Sequence, residues 1–169
     1  MVHRHSVLAA FLLLSGCAAK PEQSLMEEVA LREVPEPRPK CQEGHGLALD
    51  EGIITIRPGE VLCITLRAEG DKVIPVAVTT TDDPNTTLIV RAWHEPGKPD
   101  TFMLLHNPLG AFLRYEATMF LPGRSQGEYT SSCPVLSRRM AFEHWPYQIS
   151  SLKLGKFSLE PDSEQMWCR

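Results

Sequence analysis

The chain has 169 residues, of which 17 are lysine or arginine and 21 are aspartate or glutamate, so its net charge is −4 with neutral histidines. This length is typical of one domain and allows a sizeable hydrophobic core. A mildly acidic chain without a cluster of lysines and arginines has no electrostatic surface for nucleic acid, so we expect no nucleic-acid partner.

The first segment is a short apolar run that ends on a cysteine. Arg4 supplies positive charge, and the apolar residues 7–14 follow it. The run is too short to span a bilayer, which takes ~20 apolar residues, but it has the charged start, apolar centre and small final residues of a secretory signal. Residues 14–17, Leu-Ser-Gly-Cys, resemble the lipobox of bacterial lipoproteins. The resemblance implies cleavage before Cys17 and diacylation of its sulfur. The alternative is an ordinary cleaved signal with a coincidental cysteine.

The same resemblance predicts where the protein resides. Each buried methylene contributes ~0.8 kcal/mol, so two or three acyl chains make a lasting membrane anchor. Ala18 follows Cys17, at the position where lipoproteins retained in the inner membrane of enteric bacteria have aspartate. We therefore expect a palmitate-bearing lipoprotein of the outer membrane that faces the periplasm, with the inner membrane and the cell surface as alternatives.

Residues 17–40 have the composition of a flexible tether. Pro35, Pro37 and Pro39 cannot continue a helix and favour a stiff, extended backbone in this part of it. We therefore divide the chain into a signal peptide, residues 1–16, a lipidated and proline-rich tether, residues 17–40, and a folded domain, residues 41–169.

From residue 41 the hydrophobic pattern changes to short alternating segments. In residues 111–121 alternate positions are apolar, while Arg114, Glu116 and Thr118 occupy the other face. Residues 62–66 and 88–92 repeat the pattern, and turn-forming residues separate the segments. About seven to nine such strands, with almost no helical periodicity, predict an all-β fold. We expect a single antiparallel β-sandwich of immunoglobulin-like or jelly-roll type.

Two predicted strands contain a disruption. In the strand predicted at residues 74–78, Pro75 allows only an edge position or a bulge. Regular alternation along this strand would place three side chains on one face: Ile74, Val76 and Val78. Near the C-terminus the apolar alternation changes phase at Gly155, which predicts a bulge or a change of strand.

Four cysteines lie in the folded domain: Cys41, Cys63, Cys133 and Cys168. In an exported chain they predict two disulfides, and the lack of a Cys-x-x-Cys pair argues against a zinc or redox centre. Cys168 is the penultimate residue, where a chain end frays unless it is tied down, and Cys133 is its nearer candidate in sequence. Of the three connectivities that four cysteines allow, we therefore predict Cys41–Cys63 and Cys133–Cys168.

One motif matches a catalytic signature. Residues 123–127 satisfy G-x-S-x-G, and Glu143 and His144 follow Ser125 in the order of α/β hydrolases. That chemistry needs a strand-to-helix turn, yet Pro122 precedes the motif and no helical stripe follows it, so a hairpin loop explains these residues better. The histidines of the domain show no metal-ligand spacing: His45, His94, His106 and His144. We expect no catalytic residue, no metal and no other cofactor.

Three aromatic residues gather near a predicted loop. Exposed side chains of Phe142, Trp145 and Tyr147 could stack on a sugar or anchor a protein partner. The favoured alternative is that Trp145 plugs one open end of the sandwich, because large aromatic side chains dominate core burial. All three are retained as candidate binding residues.

Together these patterns predict a non-catalytic, lipid-anchored periplasmic module that binds an envelope protein as an adaptor, assembly factor or inhibitor. The alternative is a module that binds glycan or peptidoglycan through Trp145 and Tyr147. A serine hydrolase that uses Ser125 is the weakest interpretation. The expected partners are the membrane, through the N-terminal lipid, and an envelope protein.

Overall fold

The computed structural model describes residues 40–41, 49–161 and 168. The predicted signal peptide, the lipidation of Cys17 and the tether up to residue 39 lie outside these residues. Within the described ranges, no helix is long and apolar enough to span a membrane.

The described chain forms ten β-strands, and every strand pair is antiparallel. The strands are β1 (Leu49–Asp50), β2 (Ile53–Ile56), β3 (Val61–Glu69), β4 (Lys72–Val78), β5 (Thr87–His94), β6 (Thr101–His106), β7 (Phe112–Phe120), β8 (Glu128–Thr130), β9 (Met140–Trp145) and β10 (Ser151–Glu160).

The strands form two layers that enclose one core. The first layer has the order β8-β7-β10-β2-β1, and the second has the order β4-β3-β5-β6-β9. The layers join where Ser158 of β10 pairs with Lys72 of β4. Alternate apolar side chains from both layers fill the core, among them Leu62, Ile64, Leu88, Val90, Leu113, Ala117, Leu152 and Leu154. The predicted all-β antiparallel sandwich is confirmed, with ten strands rather than seven to nine.

The strand at residues 74–78 is present, but its predicted face is wrong. Val76 is 40% exposed, whereas Val73 is buried in the core. The register explains the difference, because Ala77 pairs with Thr65 while Pro75 pairs with the next residue of β3. Val76 is therefore the extra residue of a bulge, which reverses the alternation on either side of it. Pro75 predicted an edge or a bulge, and the bulge is present.

The disruption near Gly155 is also present. The register of β10 against β7 shifts between Gly155 and Ser158, and Lys156 has a positive φ of 49°. Because the bulge adds a residue, Phe157 joins the same core as Leu154. The strand also changes its neighbour from β2 to β4 along its length. The prediction of a bulge or a change of strand is confirmed, and both are present.

The two disulfides connect the cysteines as predicted. Cys41 is bonded to Cys63 on β3, and Cys133, after β8, is bonded to Cys168. The first bond attaches the start of the domain to the second layer. The second bond attaches Cys168 to the segment between β8 and β9, where the Cys133 N–H donates to the Glu143 carboxylate.

Candidate binding surface

Three neighbouring strands carry aromatic side chains on the face that points away from the core. Trp93 of β5 lies opposite Phe102 of β6, and Phe102 lies opposite His144 of β9. In the next row Phe142 lies opposite Leu104. Alternation along each strand sends these side chains outward, because their neighbours in sequence point into the core. We call the four rings the aromatic surface: Trp93, Phe102, Phe142 and His144.

The rings of one row stack on each other. The Trp93 and Phe102 ring centroids are 5.6 Å apart with an interplanar angle of 22°, and those of Phe102 and His144 are 4.7 Å apart with an angle of 13°. Because β6 lies between β5 and β9, Trp93 and His144 cover opposite faces of the Phe102 ring. The row therefore presents ring edges to solvent, with the Phe102 faces already occupied.

Phe142 is the most exposed member of the aromatic surface. Its side chain is 59% exposed, and its ring tilts against Trp93 and Phe102 at centroid distances of 5.8 and 5.4 Å. Met140, two residues earlier on β9, is 42% exposed. The Arg91 guanidinium lies 5.0 Å from the Trp93 ring centroid, in a cation–π contact. Aromatic residues, methionine and arginine are the types enriched at protein interfaces.

His144 also belongs to an exposed polar pair. Its Nε2 lies 3.0 Å from Oδ1 of Asp100. This pair orients the imidazole against Phe102. Among the described residues, no group of three or more histidines, cysteines and acids is arranged to hold a metal ion.

The three aromatic residues predicted to act together occupy different environments. Phe142 lies on the aromatic surface, as described. Trp145 is only 6% exposed, and its Nε1–H donates to Thr130 Oγ1 of β8, in the other layer, at 2.8 Å. Trp145 therefore plugs the sandwich, as the favoured alternative predicted, and its use as an exposed binding ring is wrong.

Tyr147 lies in the turn after β9, apart from the aromatic surface. Its side chain is 38% exposed, its hydroxyl donates to the sulfur of Met119 at 3.5 Å, and its carbonyl accepts from Thr101 Oγ1 at 2.9 Å. These contacts hold the turn against both layers. Because Trp145 is buried beside it, the predicted Trp145–Tyr147 sugar platform is not formed.

The serine motif lies in a hairpin loop, as predicted. Ser125 is exposed in the connection between β7 and β8, which pair with each other as antiparallel strands. Glu143 and His144 are consecutive residues of β9, so their side chains point to opposite faces of the sheet. The Glu143 carboxylate faces the Tyr115 hydroxyl, whereas His144 faces Asp100. The geometry of a serine–histidine–acid triad is therefore absent from these three residues.

The sandwich partly buries the Glu143 side chain. Its Oε1 accepts from the Tyr115 hydroxyl and from the Cys133 N–H, each at 3.3 Å. Burial raises the pKa of the Glu143 carboxyl above its ordinary value of 4.5, and the two hydrogen bonds offset part of this change because they favour the charged form. Burial, followed by the nearby carboxylate, raises the pKa of the Tyr115 hydroxyl well above 10.0.

The raised pKa of Glu143 predicts how stability changes with pH. The folded state keeps the Glu143 carboxyl protonated up to a higher pH than the unfolded state does. The free energy of unfolding therefore falls as the pH rises above 4.5. Glu143→Gln keeps an acceptor oxygen but cannot ionise. We expect the stability of the variant relative to wild type, measured by urea unfolding, to be greater at about pH 7.5 than at about pH 4. If the stability of the variant relative to wild type were the same at both pH values, or greater at pH 4, the raised pKa of Glu143 would be contradicted.

Trp93 and Phe102 were missed as binding candidates by the sequence analysis. Trp93 follows Arg91 by two residues, a spacing that places both on one face of a strand, and the charge of Arg91 is a local signal that this face is the outer one. Phe102 lies in the run Thr-Phe-Met-Leu-Leu-His, in which apolar residues occupy both faces. Only the registers of β5, β6 and β9 bring the rings together.

Comparison with known proteins assigns no family to the chain. No family model, curated protein or solved structure matches it. Function is therefore inferred from the aromatic surface and from the sequence features given above.

Proposed function

We propose that this protein is a non-catalytic, lipid-anchored periplasmic module that binds a protein of the bacterial envelope through the aromatic surface. The lipid on Cys17 holds it in the outer membrane, and the proline-rich tether sets the distance of the folded domain from the bilayer. The domain acts as an adaptor, assembly factor or inhibitor of the bound protein.

The observation that carries the proposal is the exposure of Phe142 on a surface of packed aromatic rings. Phe142 is 59% exposed although it contacts both Trp93 and Phe102. Exposed apolar clusters of this kind are costly in water and mark interaction sites. Phe142 can enter a pocket of a partner, while Trp93 and Arg91 supply the rigid aromatic and guanidinium groups typical of binding hot spots.

A protein partner fits this geometry better than a glycan. Sugar stacking requires an open ring face, and the stacked row offers none at Phe102, where both faces are covered by Trp93 and His144. The glycan alternative depended on Trp145, whose ring is buried. The hydrolase interpretation has no support either, because Ser125 lies in a hairpin away from a base and an acid that face the same side.

The membrane anchor supports a binding role because it raises the concentration of the domain near other proteins of the same membrane. A partner in the same membrane meets the tethered domain at a high effective concentration, so a modest intrinsic affinity suffices. Interfaces of this kind depend on a few aromatic contacts rather than on a large area.

The proposal is tested by a matched pair of charge substitutions. Phe142 and Tyr129 are almost equally exposed, at 59% and 58%, but Tyr129 lies on β8 in the other layer. Phe142→Asp should reduce recovery of the chemically crosslinked envelope partner by about tenfold or more, since a hot-spot residue contributes about 2 kcal/mol or above. Tyr129→Asp should leave recovery unchanged. Equal recovery with the two variants would contradict the proposed surface.

A further inference from the structure

The aromatic surface reaches the free edge of the second layer. β9 pairs with β6 on one side, and no strand in the described ranges pairs with its other side. Of the other layer ends, β1 and β8 are two and three residues long, and the seven-residue β4 is interrupted by Pro75 and a bulge. β9 instead has six residues in unbroken register with β6. Proteins usually protect long edges with lysine, proline, a bulge or an inward-pointing charge. β9 has none of the first three, and the carboxylate of its inward-pointing Glu143 already accepts hydrogen bonds from within the domain.

The register shows which backbone groups face the free edge. The Asn107 N–H donates to the Arg139 carbonyl at 2.9 Å, so this pair, just beyond the strands, is a hydrogen-bonded one. Hydrogen-bonded pairs alternate along an antiparallel ladder, so the residues of β9 that bond to β6 are Ala141, Glu143 and Trp145. The residues whose N–H and C=O groups point to the free edge are therefore Met140, Phe142 and His144.

The same residues carry the exposed side chains of β9. A strand that pairs with this edge would place its own outward side chains directly beside Met140 and Phe142, because residues opposite each other in a ladder share a face. The added strand would thus form main-chain hydrogen bonds with β9 and apolar contacts with Met140 and Phe142 at the same time. Glu143, the charged residue of β9 that points inward, already accepts hydrogen bonds from Tyr115 and Cys133 and leaves the edge clear.

The charge beside the edge indicates the chemistry of the added strand. Arg138 and Arg139 immediately precede β9 and are exposed, and no carboxylate in the described part of the chain forms an ion pair with either. Arg138 donates to the side chain of Asn85 at 3.1 Å. In an antiparallel addition, these arginines lie beside the C-terminal end of the incoming segment.

We propose that the partner binds by adding an extended segment to β9 as an antiparallel strand, with apolar side chains opposite Met140, Phe142 and His144 and acidic residues at its C-terminal end beside Arg138 and Arg139. This inference rests on the proposed function and specifies its binding mode. Recognition of this kind takes affinity from the main chain and specificity from alternate side chains.

The test uses peptides that differ only in the groups the proposal invokes. The probe is a dye-labelled, end-capped peptide, VTFTVEE, whose valines and phenylalanine would lie opposite the outward residues of β9. Binding to the full-length protein is measured by fluorescence anisotropy. Methylation of the backbone nitrogens of the two valines and the phenylalanine should weaken binding by about tenfold or more, because those N–H groups face β9. Methylation of the two threonine nitrogens should leave it unchanged. The peptide VTFTVKK should bind about tenfold more weakly than VTFTVEE.

The outcomes separate this inference from the proposed function. Equal affinity of the two methylated peptides, or no binding of VTFTVEE, would overturn strand addition. If VTFTVEE binds but Phe142→Ala does not weaken it, the aromatic surface itself is the wrong site and the proposed function fails at this surface. A concentration-dependent dimer, seen by sedimentation and dissociated by VTFTVEE, would assign the edge to a second copy of the chain and overturn the choice of an acidic partner.

Discussion

Trp145→Ala is expected to lower the free energy of unfolding by about 3–5 kcal/mol, the usual cost of removing a large buried aromatic side chain. Trp145 is 6% exposed and packs in the core between the layers. The substitution leaves a cavity and also removes the indole N–H that bonds to Thr130 Oγ1. The change is measured by urea unfolding followed by far-ultraviolet circular dichroism, so that loss of the tryptophan does not affect the signal.

Two variants serve as controls for this prediction. Trp145→Phe retains much of the buried ring and should be less destabilising than Trp145→Ala. Trp93→Ala removes the same residue type from the partly exposed outer face and should also be less destabilising. Equal losses for Trp145→Ala and Trp93→Ala would contradict the assignment of one tryptophan to the core and the other to the surface.

Cys17→Ser is expected to abolish lipid attachment. The hydroxyl of serine cannot take the place of the thiol that the lipobox resemblance assigns to lipidation, so the variant should carry no fatty-acid label and retain residues 1–16. Two acyl chains contribute ~0.8 kcal/mol per buried methylene, so the variant loses the lipid part of its membrane binding. Metabolic labelling with palmitate and mass spectrometry of the N-terminus measure both effects.

The matched control keeps the lipobox but changes another of its residues. Gly16→Ala leaves a small residue before Cys17, so labelling and cleavage should persist. A wild-type mature chain that begins at any residue other than Cys17, or a labelled Cys17→Ser variant, would refute the anchor.

Much of the fold could be predicted from the sequence because its strands are half-buried. Alternation in β7 separates Leu113 and Ala117 from Arg114, and the structure places the first two in the core. The error in β4 has a physical cause: a bulge adds a residue, and local alternation does not reveal which residue is extra. Pro75 predicted an edge or a bulge, and Val76 occupies the bulge.

The binding surface was less predictable because it depends on pairing between distant strands. The expectation that the aromatic residues of segment 142–147 gather near a loop grouped Phe142 with Trp145. Alternation along β9 instead sends Phe142 outward and Trp145 inward. Trp93 and Phe102 reach Phe142 only through two cross-strand registers, which no short window of sequence specifies.

The proposed contact of Phe142 with an envelope protein can be measured directly. The most direct measurement places a photo-crosslinking amino acid, p-benzoylphenylalanine, at position 142 in living cells, with position 129 as the equally exposed control on the other layer. Irradiation is predicted to give a discrete protein adduct from position 142 that is absent from position 129. No protein adduct at position 142, or the same adducts from both positions, would contradict the account.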